Sequence, residues 1–259
     1  MEMVMLVLVI AVLAALGVVG TAAFLFRRLS RGTDDLAPNG PSAGHAGSML
    51  SAMFLLVFAI AIVVPWTTAD AARLNTYGES QAAVETYWAA TGLPAPAATA
   101  VQSQVRGYLD FVVGKEWPLM ASGRLSPEGT SRLNAMRTQM GNLVLQDDDA
   151  KNARAAVLEQ LQSMSSSRRQ RAADARSEPP AGVLPLAILT GTIVILFPFL
   201  AGARPRGWTL VPLTVMSGLL GVGVFLAWQI SHVFASGLSI GPDAFTVALL
   251  EIQQIPTSG

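Results

Sequence analysis

The sequence predicts an all-α integral membrane protein with four transmembrane helices and a helical-bundle extramembrane domain between the second and third. Of 259 residues, 52% are hydrophobic and only 13% are charged, whereas about 25% are charged in a typical soluble domain. Four long stretches carry no charged residue, and the length of each is close to or above the roughly 20 apolar residues that cross a bilayer as a helix. These stretches are Val4–Phe26, Met49–Trp66, Leu184–Leu200 and Trp208–Phe234.

The four spans divide the chain into parts with different expected environments. Residues 1–66 are predicted to form a membrane hairpin whose second span ends or kinks at Pro65. Residues 67–182 form the extramembrane domain, and residues 183–234 form a second membrane hairpin. In the tail, residues 235–259, the motif Gly241-Pro242-Asp243 predicts the start of a short amphipathic helix, which we expect on the membrane surface or against the domain. Its apolar face carries Phe245, Leu249 and Ile252.

The first apolar stretch is expected to remain as a span, because its charge order is opposite to that of a cleaved signal. No basic residue precedes it, and Arg27, Arg28 and Arg31 follow it. These arginines, with Arg204 and Arg206 between spans three and four, predict that both short loops are cytoplasmic. The termini and the 67–182 domain are then expected to be extracytoplasmic. Four arginines near span three favour the reverse, but long domains cross membranes largely regardless of charge; they are Arg168, Arg169, Arg171 and Arg176.

The extramembrane domain is predicted to contain four helices that pack as a bundle. The expected ranges are Ala69–Thr91, Ala97–Ala121, a third helix from Ser126-Pro127-Glu128, and a fourth from Asp147-Asp148-Asp149 to about Arg176. Apolar residues recur in steps of three and four on each helix, as in helical bundles. These positions are Leu74, Tyr77, Val84 and Trp88; Val101, Val105, Tyr108 and Val112; Leu133, Met136, Met140 and Leu143; and Val157, Leu161 and Met164. We expect a shared core that contains Trp88, Tyr108, Met136 and Leu161.

The sequence contains no recognisable catalytic, cofactor or metal motif. The 17 basic and 17 acidic residues balance, which argues against a nucleic-acid partner. The absence of cysteine excludes disulfides, thiol catalysis and cysteine metal sites. His45 and His232 are predicted on opposite sides of the membrane, and the aspartates at 147–149 are interpreted as a helix cap. The carboxylate pairs Glu79/Glu85 and Asp110/Glu116 are near each other only in sequence. We therefore expect neither an enzyme nor a bound cofactor or metal.

One apolar stripe in the second span is a candidate pore constriction. Phe54, Phe58 and Ile62 are four residues apart and share one helix face. Around a symmetric axis they would form stacked apolar rings, which can block ions by excluding water. Alternatively, the stripe packs against lipid or other helices. The span interiors contain no ionisable residue, which argues against a proton-coupled transporter.

Small residues in the last two spans predict close helix approach. They are spaced four residues apart in two pairs, Ala187 with Gly191 and Ser217 with Gly221. This pattern indicates packing rather than chemistry.

Several short segments, in this order and spacing, resemble the bacterial bestrophin-like family of four-span membrane proteins. They include the Arg-rich end of span one, His45-Ala46-Gly47, Tyr77 followed by Glu85-Thr86-Tyr87-Trp88-Ala89-Ala90, Tyr108, Glu116-Trp117-Pro118, Arg124-Leu125-Ser126-Pro127, Leu184-Pro185-Leu186 and Ser239-Ile240-Gly241-Pro242-Asp243-Ala244-Phe245. The resemblance implies kinship with bestrophins, pentameric anion channels whose second span lines a narrow apolar neck. Phe54, Phe58 and Ile62 then match the neck positions. The acidic calcium clasp of animal bestrophins has no counterpart in the tail, and bestrophins keep their large domain cytoplasmic.

Two functions remain open at the level of sequence. The first is an oligomeric passive anion channel gated by the constriction in span two. The second is a non-conducting structural or accessory subunit that presents its helical domain to a membrane protein partner. The lipid bilayer is a partner in both cases, and a homo-oligomer is expected for the channel. A ring of copies with span two at the axis would favour the channel.

Overall fold

A computed structural model describes residues 40–177, 182–200, 211–231, 233–234 and 240–255. Within these ranges every regular element is a helix, which confirms the all-α prediction. The chain divides into two compact units, Met1–Ala46 and Gly47–Gly259, and the elements below belong to the second unit apart from the first turns of α1. The predicted first span and the basic residues of both short loops lie outside the described residues.

The longest element, α1 (Pro41–Ala90), joins the predicted second span to the first helix of the domain. It has 50 residues and is helical through Pro65, so of the two predicted outcomes, an end or a kink, the helix end is excluded. Proline removes only its own N–H group from the hydrogen-bond ladder, and the long helical segments on both sides keep the helix continuous. A displacement of the apolar half of α1 is therefore linked directly to the half inside the domain.

The other helices follow in an order close to the predicted one. Ser126 accepts a hydrogen bond from the backbone N–H of Glu128, and Asp147 accepts one from Ala150, so both predicted helix starts are confirmed. The helices are α2 (Ala95–Phe111), a π-helical segment (Val112–Glu116), α3 (Trp117–Met120), α4 (Pro127–Asn142), α5 (Asp148–Asp174), α6 (Val183–Leu200), α7 (Val211–Ser231) and α8 (Asp243–Ile252).

The domain core forms between the predicted faces of α2, α4 and α5. Tyr108, Met136 and Leu161 are all buried, as expected. One larger set of core positions shares this burial: Val101, Val105, Val112, Leu133, Met140, Val157 and Met164. Large apolar side chains at alternating steps of three and four predict this kind of core well.

The predicted core face of α1 was wrong at Leu74, Tyr77 and Trp88 but is confirmed at Val84. Trp88 is 47% exposed, Leu74 is 64% exposed and Tyr77 is 43% exposed, so none of these three residues is part of the core. The buried face instead carries small and polar residues together with Val84 and Tyr87; the others are Ala72, Thr76, Glu79, Ser80, Ala83 and Thr86. Hydrophobic periodicity favoured the large residues Leu74, Tyr77 and Trp88, whereas most of the buried side chains of this helix are small or polar.

The helix at the C-terminus packs against the domain, one of its two expected positions. Phe245 and Ile252 of α8 are fully buried, and Leu249 packs against the same core. The Trp117 ring meets Phe234 and Phe245 edge-on, at centroid distances of 5.8 Å and 5.7 Å. This contact joins the chain that follows α7 to the middle of the domain.

Two helices are long and apolar enough to cross a membrane, namely α1 from Gly44 and α6, within the ranges that the structure describes. A shorter apolar segment, Ser217–Ile230, lies in α7, and α7 packs against α6. The exposed surface of the α1 segment is almost entirely hydrophobic, with Met53, Leu56 and Trp66 among its exposed residues. Such surfaces match a lipid environment.

Candidate functional site

The apolar stripe Phe54, Phe58 and Ile62 lies on α1, and all three side chains are half-buried. The Phe54 and Phe58 rings stack on each other with centroids 5.4 Å apart and planes inclined by 29°. Steps of four residues place these rings one above the other on the helix. The described residues therefore bring the candidate constriction together as a continuous aromatic and aliphatic face.

Two glycines of the same chain receive the rings of this stripe. A Cβ atom at Gly191 of α6 would lie 2.9 Å from the Phe54 ring, and a Cβ at Gly223 of α7 would overlap the Phe58 ring. Gly191 belongs to a predicted close-approach pair, with Ala187 fully buried beside it. Gly221 of the other pair is exposed and has open space around it, so the prediction there was wrong by two residues. The pore role of the stripe stays a prediction.

A second cluster, missed by the sequence, lies inside the domain. Arg171 of α5 donates from Nε to Glu79 Oε2 at 2.7 Å and from Nη2 to Glu79 Oε1 at 2.8 Å. The same Nη2 also donates to Glu116 Oε1 at 2.8 Å. All three side chains are fully buried, so a two-point ion pair connects α1 to α5, and a third contact connects both to the π-helical segment.

Arg168 extends this cluster to the start of α4. It forms an ion pair with both oxygens of Glu116, the Nη2–Oε2 distance being 2.6 Å. It also donates to the backbone carbonyl of Ser126 at 2.6 Å, while the Ser126 N–H donates to Glu116 at 3.2 Å. Gly129 leaves the space that the guanidinium occupies, because a Cβ there would lie 2.5 Å from it. We call Glu79, Tyr108, Glu116, Arg168 and Arg171 the buried ionic cluster.

The Tyr108 hydroxyl completes the cluster by donating to Glu79 Oε1. Burial and then the Glu79 carboxylate raise the pKa of Tyr108 well above its usual value, so the phenol stays protonated. Burial alone would lower the pKa of Arg171, but the Glu79 and Glu116 carboxylates outweigh that effect and raise it. The cluster therefore holds two cations and two anions with balanced charge.

Aromatic rings close one side of the cluster. The Arg171 guanidinium carbon lies 5.8 Å from the Trp117 ring centroid and 5.3 Å from that of Phe245. The sulfur of Met120 lies 2.9 Å from Arg171 Nη1. Guanidinium groups interact favourably with aromatic faces at such distances. Because Phe245 belongs to α8, the cluster also depends on the chain that follows α7.

A sequence signal for the cluster exists in the spacing of α5. The buried positions Val157, Leu161 and Met164 continue in the same steps of four and three to Arg168 and Arg171. In the sequence, Arg168 and Arg171 indicate membrane orientation. Their positions on the buried face of α5 also indicate partners, because buried charges are paired in folded proteins. The stripe of a helix therefore predicts burial for its charged members as well as its apolar ones.

The carboxylates that lie near Glu79 and Glu116 in the sequence do not join them in the cluster. Glu85 and Asp110 are exposed, and Glu85 accepts a hydrogen bond from Gln81 at 2.8 Å. Glu116 enters the core because the wider π-helical turn shifts the buried position by one residue from Lys115, which is exposed. The spacing of residues in the sequence does not predict that shift.

The cluster is suited to holding helices together rather than to catalysis. Its carboxylates accept hydrogen bonds from arginines and a tyrosine, and its members lie away from solvent. In the described ranges, no group of three or more His, Asp or Glu residues is arranged to hold a metal ion. His45 is exposed on α1, and His232 lies outside the described residues.

A family model for the Bestrophin-like domain matches residues 9–245. The chain belongs to the bestrophin-like family. The match extends from within the first predicted span into α8, which confirms the resemblance to a bestrophin-like family. No curated protein matches the chain, and no solved structure matches it. With its long apolar helices α1 and α6, this bestrophin-like protein is a membrane protein.

Proposed function

We propose that this bestrophin-like protein is an oligomeric passive anion channel in which α1 faces the pore. The observation that carries the proposal is the half-buried stripe Phe54, Phe58 and Ile62 on the charge-free segment Met49–Trp66 of α1. Family membership supports it, because bestrophins, which the family resembles, are anion channels with an apolar neck in the second span. No ionisable group in this part of α1 would bind a passing ion tightly.

The glycine contacts support a rigid constriction. One side of each ring would rest on Gly191 or Gly223, and the remaining surface would face the pore axis. Rings that are held in one rotamer keep a constant pore diameter, and a narrow apolar ring excludes water without any charge. One chain supplies one stripe, so a closed ring requires several symmetric copies.

The domain is placed to influence the stripe through α1. Glu79 lies 21 positions after Phe58 on the same uninterrupted helix, or roughly 30 Å along its axis. The buried ionic cluster holds Glu79 to α5 and contacts α8, which follows α7. A rearrangement of the domain would therefore shift α1 and the helix that carries Gly223 together.

For the orientation, we propose that the termini and residues 67–182 are extracytoplasmic in the plasma membrane of a bacterial cell, with four spans. The short basic loops carry this proposal. Two of the four arginines that favoured the reverse, Arg168 and Arg171, are neutralised by Glu116 and Glu79 within the domain. Long domains also cross membranes largely regardless of charge, so the arginines near span three carry less weight than the short loops.

A second candidate function is a non-conducting accessory subunit that presents its domain to a membrane protein partner. The contacts of Phe54 with Gly191 and of Phe58 with Gly223 favour it, because they use the stripe for packing within one chain. Ala61, on the same side of α1, is also buried. In this alternative, α1, α6 and α7 form a closed bundle and no pore exists.

Oligomeric mass and cross-linking separate the two candidates. The chain contains no cysteine, so Ile62→Cys introduces a single thiol on the stripe and Leu56→Cys one on the opposite, exposed side of α1. For the channel, the purified protein has the mass of a ring of copies, and oxidation links Ile62→Cys chains into dimers but leaves Leu56→Cys chains single. A monomeric protein with no Ile62→Cys dimers would support the accessory function.

A further inference from the structure

Three exposed arginines lie near the end of the domain where the chain enters its apolar helices. They come from separate elements: Arg73 from α1, Arg124 from the loop before α4, and Arg176 from the end of α5. Within the described residues none of them forms an ion pair. Their charges are therefore available to an outside partner.

Two contacts hold together the backbone segments that carry these arginines. Asn75 Nδ2 donates to Asp174 Oδ2 at 2.7 Å, and these residues are each two positions from Arg73 and Arg176. A Cβ atom at Gly123, whose φ is +68°, would lie 3.2 Å from the Ala175 carbonyl oxygen. Arg124 and Arg176 directly follow these two residues. The left-handed backbone that glycine allows at 123 holds the loop against the end of α5.

The same end of the domain is close to the membrane surface. Arg73 follows Trp66, the last residue of the predicted second span, by seven positions on a continuous helix, or about 10 Å. Arg176 precedes Val183, the first residue of α6, by the same number of positions. The headgroup layer on each side of a bilayer is roughly 5–8 Å thick, and a long arginine side chain extends across the remaining distance.

We infer that Arg73, Arg124 and Arg176 form a basic collar that binds the phosphate groups of anionic lipids. The planar guanidinium group presents paired donors that match phosphate oxygens. Of the described residues at this end, Asp70 and Asp174 are carboxylates, and Asp174 accepts hydrogen bonds from the amides of Asn75 and Gln170. The three arginines exceed these two carboxylates by one charge. The inference rests on the membrane location of the protein and not on its conducting ions.

The test compares phosphatidylglycerol with phosphatidylcholine as ligands of the full chain purified in detergent. A lipid that binds the native state raises the melting temperature by mass action, so titration gives an apparent affinity for each lipid. We expect phosphatidylglycerol to bind more tightly. Each arginine near a membrane surface contributes about 1 kcal/mol, so Arg124→Gln with Arg176→Gln should weaken phosphatidylglycerol binding by on the order of twentyfold. Arg73→Gln should weaken it about fivefold.

A matched control removes two charges elsewhere. Arg106 and Lys151 are exposed, and Lys151 lies near the opposite end of α5, roughly 35 Å from Arg176. Arg106→Gln with Lys151→Gln should leave the preference for phosphatidylglycerol unchanged. Equal affinities in the collar variant and the wild type, or an equal loss in the control, would overturn the inference. The wild type gives an independent check, because a preference that salt does not reduce would also contradict it.

Discussion

Arg171 donates hydrogen bonds to both carboxylate oxygens of Glu79, which lies 92 residues earlier in the chain. This contact joins the C-terminal part of α5 to the domain half of α1, the helix that also carries the apolar stripe. Glu116 and Arg168 extend the contact to the π-helical segment and the start of α4. The domain is thus tied to α1 by charge as well as by its apolar core.

Removing one charge from this contact should destabilise the protein strongly. Glu79→Gln keeps the size of the side chain but leaves Arg171 with only part of its counter-charge. Breaking a buried ion pair in this way costs about 3–5 kcal/mol. Thermal unfolding of the full chain in detergent should show a lower midpoint, whereas Glu85→Gln, an exposed carboxylate on the same helix, should change stability little.

Replacing both partners gives the corresponding contrast. Glu79→Met combined with Arg171→Met leaves no unpaired buried charge, and such exchanges are often neutral or stabilising. The double variant should therefore be more stable than Glu79→Gln, although Glu116 loses one donor and the Tyr108 hydroxyl loses its acceptor. If Glu79→Gln is as stable as Glu85→Gln, the ion pair does not hold the domain to α1.

Alkaline unfolding should report on Tyr108. Its pKa is raised in the folded state, so above the ordinary tyrosine value of about 10 the unfolded chain releases this proton and the folded chain does not. Stability from Tyr108 is then complete below pH 10 and falls as the pH rises further. Tyr108→Phe loses a hydrogen bond to a carboxylate, about 1.5–3 kcal/mol at neutral pH.

The difference between Tyr108→Phe and the wild type should therefore narrow from pH 8 to pH 11. The free energy of unfolding by denaturant at both values measures it. Tyr77→Phe, an exposed tyrosine on α1, serves as the control and should not change the pH dependence. A gap that is constant with pH would show that the Tyr108 phenol is not protected by the fold.

Two glycines of α4 should respond in opposite directions to alanine. At Gly129 the added Cβ meets the Arg168 guanidinium, which cannot move without leaving Glu116. Overpacking of this kind costs about 1–3 kcal/mol. At Gly141 nothing lies within 4 Å of the added Cβ, and a helical alanine there should stabilise by roughly 0.5–1 kcal/mol. Melting temperatures of the two variants that shift in the same direction would contradict this packing.

Much of the fold could be predicted because its signals are local. The capping residues Ser126 and Asp147 mark helix starts, and large apolar residues such as Leu161 mark buried faces. Trp88 was predicted in the core only because it is large and apolar. Which residues of α1 are buried depends on the side chains that they contact on other helices. Glu79, for example, is buried because it pairs with the Arg171 guanidinium group.

The two candidate sites differ in how much of each can be predicted from the sequence. The stripe Phe54, Phe58 and Ile62 was found from spacing alone, since all three residues belong to one helix. The glycine that receives Phe58 is Gly223, 165 positions later in the chain, and no local pattern distinguishes it from Gly221. The ionic cluster likewise depends on contacts between distant helices and on a π-helical turn, neither of which spacing predicts.

The proposed orientation can be tested with single cysteines, since the chain has none of its own. Val144 is 82% exposed in the domain, so Val144→Cys should react with a membrane-impermeant maleimide in intact cells. Asn39→Cys, in the loop between the first two predicted spans, should react only after lysis. The opposite pattern of labelling would place the domain in the cytoplasm.

The most direct measurement is the conductance of the purified protein in planar bilayers. The channel proposal predicts passive anion currents that increase in Phe58→Ala, because a smaller side chain widens and wets the constriction. Leu56→Ala, on the exposed opposite face of α1, should conduct like the wild type. If both the wild type and Phe58→Ala are incorporated and remain silent, the stripe does not line a pore and the channel proposal is contradicted.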